Sequence, residues 1–205
     1  MSKKDKQIMV IKKDILLKNY FEGFRQIDET NYEELILNNF EYMTRGIAEE
    51  DSNFKQPIGY AIIINPKLKK VFAYQRSSKD ENYKEKRLQG KYSWGVGGHI
   101  EKQDNLNGNP IHSSMLRELA EEVGLNGKNK LKVIGYINND ADMVGKVHFG
   151  ILYLIETDAT EINPKDKEME NGSLKTIEEL EKICSIYQVE SWSKIALEIL
   201  KEHMQ

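Results

Sequence analysis

The sequence predicts an α/β or α+β sandwich in which helices cover a β-sheet. Two kinds of segment point to this class: short runs rich in β-branched and aromatic residues, such as IGYAIIIN and KVFAYQR, and amphipathic segments such as ESWSKIALEILKEH. The two kinds are interspersed along 205 residues, of which 39% are hydrophobic, enough for an ordinary globular core. Strands and helices mixed in this way pack as layers, with helices against the sheet.

Residues 1–56 are predicted to form an N-terminal extension made of one strand and one helix. The strand lies in QIMVIKKDILL, and the helix spans about residues 31–44, after Thr30 and Glu33 in capping-box spacing. The polar stretch AEEDSNFKQP then ends at Pro57 and indicates a boundary between this extension and the main domain. The main domain is therefore predicted over residues 57–205.

The main domain is predicted to begin with the strands IGYAIIIN and KVFAYQR around the turn PKLK, followed by a long charged loop and the short strand YSWGV. A helix begins at Asn109 and Pro110, which suit its N-cap and first turn, and Gly124 ends it. The strands KLKVIGYIN and KVHFGILYLIET precede an acidic loop, DATEINPKDKEMENGS. Thr176 and Glu179 then have capping-box spacing before the helix IEELEKI, and ESWSKIALEILKEH forms the last helix.

Composition narrows the classes of function. The formal net charge is −3, so no broad basic surface for nucleic acid is expected. The single cysteine, Cys184, excludes an intramolecular disulfide and fits a reducing compartment. No apolar run approaches the roughly 20 residues that cross a bilayer. We therefore expect a cytoplasmic protein with neither a membrane nor a nucleic acid as partner.

The segment RELAEEVGL, residues 117–125, places three glutamates close together on one helix. At about 100° per residue they fall within roughly 60° of one direction. The opposite side is predicted to be the buried stripe, formed by Leu116, Leu119, Ala120 and Val123. Neighbouring carboxylates repel each other, so such a face is either solvated surface or the binding site of a cation. The pair Gly97-Gly98, directly after a strand, adds main-chain oxygens, and Mg²⁺ or Mn²⁺ favours this set of ligands.

These residues resemble the Nudix box, G-x5-E-x7-R-E-U-x-E-E-x-G-U, in which U is aliphatic. The second half matches at every fixed position, namely Arg117, Glu118, Leu119, Glu121, Glu122, Gly124 and Leu125. The first half matches at Gly98 and then departs, because Asp104 stands for the expected Glu and the spacer has twelve residues rather than seven. The chain is thus similar to Nudix (MutT-like) hydrolases over roughly residues 57–200. YFEGF and RLQGKYSWGVGGHI are also similar to a subgroup described as predicted phosphoesterases.

The resemblance implies a Nudix-type α/β/α sandwich with a mixed β-sheet. It also implies metal-dependent hydrolysis of a phosphoanhydride bond in a nucleoside diphosphate linked to another moiety. The implied metal ligands for Mg²⁺ or Mn²⁺ are the carboxylates of Glu118, Glu121 and Glu122 and the carbonyl of Gly97. In this family pattern Glu118 is also the candidate base, and Arg117 orients the neighbouring glutamates through an ion pair.

Further site residues are expected outside the box. Family members often carry one more acid on a loop, here Glu168 or, second, Glu170. Arg76 and Arg87 flank the long charged loop and are candidates to bind substrate phosphates, with solvated surface charge as the alternative. An N-terminal element in this family commonly shapes the substrate pocket or a homodimer interface, so a homodimer is expected.

Two other functions stay open at this point. A non-catalytic, ligand-sensing Nudix-like module is one, although such modules often lose catalytic glutamates and this chain keeps three in the helix. Isopentenyl diphosphate isomerase is the other, but it relies on a cysteine in its site, and Cys184 lies far downstream. A zinc site is not expected, because His99 and His112 match no usual zinc spacing.

Overall fold

The computed structural model describes residues 2–27, 30–77, 87–106 and 108–204. The strands are β1 (Gln7–Lys12), β2 (Gly23–Gln26), β3 (Glu41–Thr44), β4 (Phe54–Asn65), β5 (Lys70–Arg76), β6 (Tyr92–Ser93), β7 (Val123–Gly124), β8 (Asn129–Asn138), β9 (His148–Thr157), β10 (Asn163–Pro164) and β11 (Met169–Lys175). The helices are α1 (Lys13–Leu16), α2 (Tyr32–Asn39), α3 (Arg45–Ala48), α4 (Pro110–Glu122), α5 (Ile177–Ile186) and α6 (Ser191–His203). Short 3₁₀ helices span Lys3–Asp5, Lys102–Leu106 and Gly145–Val147.

Among the described residues, nine strands form one sheet, and β7 and β10 form a separate pair. The main path of the sheet runs β11, β5, β4, β9, β8 and β2, while β1 and β3 pair with each other and β6 pairs with β5. Strands and helices alternate along the chain as predicted, so the expected α/β (α+β) class is confirmed. Each described helix is shorter or more polar than a segment that could cross a bilayer.

The first of two compact units comprises Met1–Tyr60, Gly97–Glu118 and Val133–Tyr153. In it β1 pairs antiparallel with β3 and with the start of β4, and β2 pairs antiparallel with β8. Its core includes an aromatic cluster in which the ring centroids of Tyr32 and Tyr136 lie 4.9 Å apart. The backbone amide of Met9 in β1 donates to the carbonyl of Ile100 at 2.8 Å, which ties this strand to the segment that follows Gly97-Gly98.

The second unit comprises Ala61–Val96, Leu119–Lys132 and Leu154–Gln205. In it β5 is flanked by β11, with Met169 opposite Arg76, and by the end of β4. Trp94 is fully buried, and its indole nitrogen donates to the carbonyl of Ser193 in α6 at 2.6 Å. This bond fixes the start of α6 beside the short strand β6.

The predicted N-terminal helix starts within one residue of its expected position, but its predicted cap, Thr30, and its predicted end at residue 44 are wrong. The helix α2 covers only Tyr32–Asn39, and its N-cap is Asn31, whose side-chain oxygen accepts from the amide of Glu34. The residues after Asn39 form β3, because pairing with β1 satisfies their backbone groups better than another helical turn. The predicted first strand is likewise shorter, since Lys13–Leu16 turns into α1.

Two segments that were predicted as loops contain strands. The second half of AEEDSNFKQP opens β4, in which Lys55 and Gln56 are fully buried. The end of the acidic loop DATEINPKDKEMENGS forms β11, paired with β5. In contrast, the second capping box is confirmed, because the hydroxyl of Thr176 accepts from the amide of Glu179 and the Glu179 carboxylate accepts from the amide of Thr176. The boundary between extension and main domain at residue 57 stays a prediction.

Candidate active site on helix α4

Helix α4 begins where the sequence predicts. The side-chain oxygen of Asn109 accepts from the backbone amides of Ile111 and His112 at 3.0 and 3.3 Å, which satisfies two donors of the first turn. Ile111 and Met115 are buried. A Cβ at Gly59 in β4 would lie 2.7 Å from the Cβ of Met115, so glycine is required there. The first half of α4 is therefore packed tightly on β4.

The predicted buried stripe of α4 is wrong at two of its four positions. Leu116 is 45% exposed and Ala120 is exposed, while Leu119 is half-buried and Val123 is buried. The helix instead turns Ile111, Ser114 and Met115 inward, and Glu118 continues that face. The Glu118 side chain is only 16% exposed. The prediction from hydrophobic periodicity failed here because it placed all three glutamates on the solvent side of the helix, whereas Glu118 points inward.

The glycine pair before the helix accommodates Glu118. A Cβ at Gly98 would overlap the carboxylate of Glu118, and a Cβ at Gly97 would overlap the carbonyl oxygen of Gly59. Neither position can therefore carry a side chain without moving its neighbour. The predicted close approach of backbone to another group is present, and the group that approaches Gly98 is the glutamate itself.

Arg117 joins the helix to the loop that precedes it. Its Nε and Nη2 donate to the two carboxylate oxygens of Asp104 at 2.9 and 3.0 Å, a bidentate pair with the carboxylate almost fully buried. Its Nη1 donates to Glu118 at 2.7 Å. The hydrogen bond to Asp104 is the main cause that raises the pKa of Arg117. Asp104 thus meets the arginine despite the longer spacer and the shorter side chain.

The same arginine also holds the turn after the glycines. Its Nη2 donates to the carbonyl of His99 at 3.2 Å, and the hydroxyl of Ser114 donates to the same oxygen at 3.3 Å. Asp104 is fixed in addition by the backbone amide of Glu101, at 2.8 Å. Glu118 and the turn after Gly98 are therefore anchored to one guanidinium.

Glu121 and Glu122 occupy the last turn of α4. Glu121 is exposed and Glu122 is half-buried. The carbonyl of Glu122 accepts from the amide of Lys165 at 2.8 Å, and the ammonium of Lys165 donates to the carbonyl of Ala120 at 3.0 Å. The end of the helix is thereby capped by the segment that leads to β11. In the side-chain arrangement shown by the described residues, no three His, Cys, Asp or Glu groups converge as they would around a bound metal.

The remaining predicted site residues lie in the second unit. Arg76 ends β5, and its Nε donates to Glu190 at 2.8 Å. Arg87 lies in a turn after residues 78–86, which fall outside the described residues. Glu168 lies just before β11, not in a long loop, and its carbonyl accepts from the amide of Ser77. The Glu170 carboxylate is within β11 and accepts from the hydroxyl of Ser77 at 2.7 Å.

The positions of the histidines and of Cys184 bear on two alternatives, a zinc site and isopentenyl diphosphate isomerase. The His99 ring lies 5.3 Å from the ring of His148, and the His112 ring lies 6.1 Å from the ring of Tyr153. Burial raises the pKa of the Cys184 thiol on α5, which is the opposite of what a reactive nucleophile needs. The sequence reasoning did not anticipate His148 or its neighbour Gln56, since neither is near the box in sequence.

A family model described as the NUDIX domain matches residues 55–196. The chain belongs to the Nudix family. Protein YmaB of Bacillus subtilis (strain 168) is 33% identical over 214 residues, which cover 98% of this chain and all of that protein. The structure of Tm1382, assigned as a Nudix hydrolase, is 28% identical, covers 96% of this chain and 99% of its own, and gives a TM-score of 0.78.

A more distant Nudix structure has the same fold. The Nudix domain of NrtR from Shewanella oneidensis, solved with ADP ribose, is 14% identical with a TM-score of 0.56, and the match covers 74% of this chain and 89% of that domain. The predicted family and fold are confirmed. The prediction of an enzyme is confirmed as well: the chain is a Nudix-type hydrolase of acid anhydrides in phosphorus-containing compounds. Nudix hydrolases generally use divalent metal ions.

Proposed function

We propose that this Nudix hydrolase cleaves, with a divalent metal ion, a phosphoanhydride bond in a nucleoside diphosphate linked to another moiety. The observation that carries the proposal is the Arg117 guanidinium, which binds Asp104, Glu118 and the carbonyl of His99 together. This arrangement fixes a carboxylate against Gly98 at the start of the glutamate series.

The residues present fit Mg²⁺ or Mn²⁺. Carboxylates and main-chain carbonyls are hard oxygen donors, which these ions prefer. Glu118, Glu121 and Glu122 lie three and four residues apart on one helix, which helical geometry places on the same side. We assign them, with the Gly97 carbonyl, as the ligands. When bound, the ion supplies a more acidic water and neutralises charge on the phosphates.

The other roles in the reaction are assigned to side chains of the protein. We assign Glu118 as the group that accepts a proton from the attacking water. The support is that Arg117 donates to one of its oxygens at 2.7 Å and so restricts its orientation. We assign Arg76 and Arg87 to the substrate phosphates as bidentate donors. Arg76 is restricted in position by Glu190, which accepts from its Nε at 2.8 Å and from the Ser93 hydroxyl at 3.0 Å.

A screen of substrates tests the proposal directly. The purified full chain is incubated with Mg²⁺ or Mn²⁺ and a panel of nucleotide-linked diphosphates, and released phosphate is measured after phosphatase treatment. Isopentenyl diphosphate is included to test isomerase activity by product analysis. We expect at least one nucleotide-linked diphosphate to be cleaved and the reaction to stop with a chelator. Tight binding of a panel member without cleavage would instead identify a ligand-sensing module.

Glu168→Gln is predicted to lower kcat about tenfold to a hundredfold with little change in metal affinity. Glu168 lies three residues after Lys165, which bonds the carbonyl of Glu122, so this segment is anchored at the metal-binding end of α4. A carboxylate there can assist activation of water at the proposed metal site. The check is the pH profile of kcat, whose acidic limb should flatten in the variant.

Glu170→Gln is the matched control for Glu168→Gln. The Glu170 carboxylate is already engaged by the Ser77 hydroxyl within β11, so its loss should leave kcat close to the wild-type value. If both variants have wild-type kinetics, catalysis belongs to the glutamates of α4 alone.

Two further assignments complete the proposal. We place residues 1–56 as an extension that supports the substrate pocket and a homodimer. The support is local: Lys6 donates to Glu101 at 2.6 Å and β1 pairs with β4. Sedimentation of the full chain at micromolar concentration tests the dimer, which a monomer would exclude. The free Cys184 is consistent with the cytoplasm as the proposed location.

A further inference from the structure

The imidazole of His99 is held by two buried polar side chains of the first unit. Its Nε2 lies 2.7 Å from the Oε1 of Gln56 and 3.2 Å from the Nε2 of His148. Gln56 is fully buried and His148 is 7% exposed. These hydrogen bonds join side chains that are not among the residues assigned above to the metal or the substrate.

The direction of two of these hydrogen bonds follows from their carbonyl partners. The amide nitrogen of Gln56 donates to the carbonyl of Ala48 at 3.0 Å, so its Oε1 accepts from the Nε2 of His99. The Nδ1 of His148 lies 2.7 Å from the carbonyl of Val144, which can only accept, so Nδ1 donates. The Nε2 of His148 is thereby turned toward the Nε2 of His99.

The backbone of His99 is also fixed by hydrogen bonds. It forms an antiparallel bridge with Ile58 of β4, and its carbonyl accepts from Arg117 and Ser114. His99 directly follows Gly97-Gly98, where the backbone lies against Gly59 and the Glu118 carboxylate. Two peptide bonds join His99 to the Gly97 carbonyl, so the position of His99 bears directly on this turn.

We propose that Gln56 and His148 are positioning residues, which act through His99 to fix the backbone of Gly97-Gly98 for the metal ion. This inference rests on the proposed function, because it takes the Gly97 carbonyl as a ligand. Loss of one partner leaves a buried donor or acceptor unsatisfied, and the turn must move to restore a hydrogen bond. The groups that support ligands in this way commonly control metal affinity.

The test measures Mn²⁺ binding to the full chain by calorimetry and electron paramagnetic resonance, without nucleotide. Gln56→Met and His99→Met, which remove the hydrogen bonds at similar volume, are expected to weaken Mn²⁺ binding at least about tenfold. His99→Gln keeps an N–H that can reach Gln56, so it is expected to recover most of the lost affinity. A purely structural role would not distinguish glutamine from methionine in this way.

Asn138→Ala is the control for general loss of stability. Asn138 is fully buried in the same unit and donates to the carbonyl of Phe21 at 2.7 Å, apart from the His99 group. It should lower the thermal midpoint without changing Mn²⁺ affinity. The inference is overturned if Gln56→Met and His99→Met bind Mn²⁺ as the wild type does, or if Asn138→Ala weakens binding equally. Absence of Mn²⁺ binding by the wild type would instead refute the proposed metal dependence, and the inference with it.

Discussion

Glu122→Gln and Glu121→Gln are each expected to lower kcat at least about a hundredfold on the best substrate. Glutamine keeps the shape of the side chain but removes the charge that, in the proposed function, binds the metal ion and offsets the charge of the phosphates. The loss appears in kcat because this charge stabilises the transition state more than the bound substrate. The measurement is steady-state kinetics at saturating metal, with the metal concentration for half-maximal rate as a second readout.

The fold should survive both substitutions. Neighbouring carboxylates repel each other without metal, so the thermal midpoint of the metal-free protein should be unchanged or slightly higher. Glu198→Gln on α6 is the control, because its carboxylate is 70% exposed and pairs with Lys201 of the same helix at 3.0 Å, away from α4 in sequence. Near-normal rates for both α4 variants would show that the metal assignment is wrong.

Lys55→Met is expected to lower the free energy of unfolding by about 3 kcal/mol or more. The ammonium of Lys55 is fully buried and donates to Asp140 at 2.6 Å, to the carbonyl of Gly145 at 2.7 Å and to the carbonyl of His148 at 3.2 Å. Methionine fills the space but leaves two carbonyls and a carboxylate oxygen without this donor. Denaturant unfolding at neutral pH measures the difference.

Lys13→Met is the matched control, since Lys13 binds the other oxygen of the same carboxylate at 2.6 Å but is 33% exposed. Exposed pairs contribute about 1 kcal/mol or less, so this variant should lose much less stability. Equal losses for the two lysines would contradict the argument from burial.

The loss of unfolding free energy caused by Lys55→Met should also depend on pH. Burial alone would raise the pKa of Asp140, but the hydrogen bonds from Lys13 and Lys55 outweigh it and lower the pKa. A carboxyl whose folded-state pKa is lowered stabilises the protein above its unfolded-state pKa, and this contribution is lost as the pH falls through the folded-state value. The difference between wild type and Lys55→Met should therefore narrow in acid. A constant difference down to the acid transition would exclude Asp140 as the partner that matters.

The features that the sequence predicted correctly depend on residues only a few positions apart. The glutamates of RELAEEVGL share one side of a helix because helical geometry fixes their directions once the helix forms, and Asn109-Pro110 supplies its start. The capping box at Thr176 was predictable for the same reason, since its two hydrogen bonds join residues three apart. In both cases the relevant atoms are brought together by a few residues of backbone.

Polar residues that become buried misled the prediction. Lys55 and Gln56 stand in a stretch that looks like a surface seam, yet both are fully buried in β4. Their partners, Asp140 and the carbonyl of Ala48, are 85 and 8 positions away. A sequence shows that a side chain is polar but not that a distant group will satisfy it. The exposed Leu116 is the converse case, since the inward face of α4 is taken by Glu118.

By itself, the sequence determined the family, the alternation of strands and helices and the helix that carries the three glutamates. The family follows from the resemblance of residues 98–125 to the Nudix box, which the family model over residues 55–196 confirms. The elements and the glutamate helix follow from hydrophobic patterns and spacings within single segments, where the backbone geometry is known in advance. Only the tertiary structure decided that Asp104 meets Arg117 across twelve intervening residues, that Glu118 lies against Gly98, and that Gln56 and His148 hold His99. Such contacts depend on how the chain returns on itself, and the free energy that selects them comes from burial and hydrogen bonds between residues far apart in sequence.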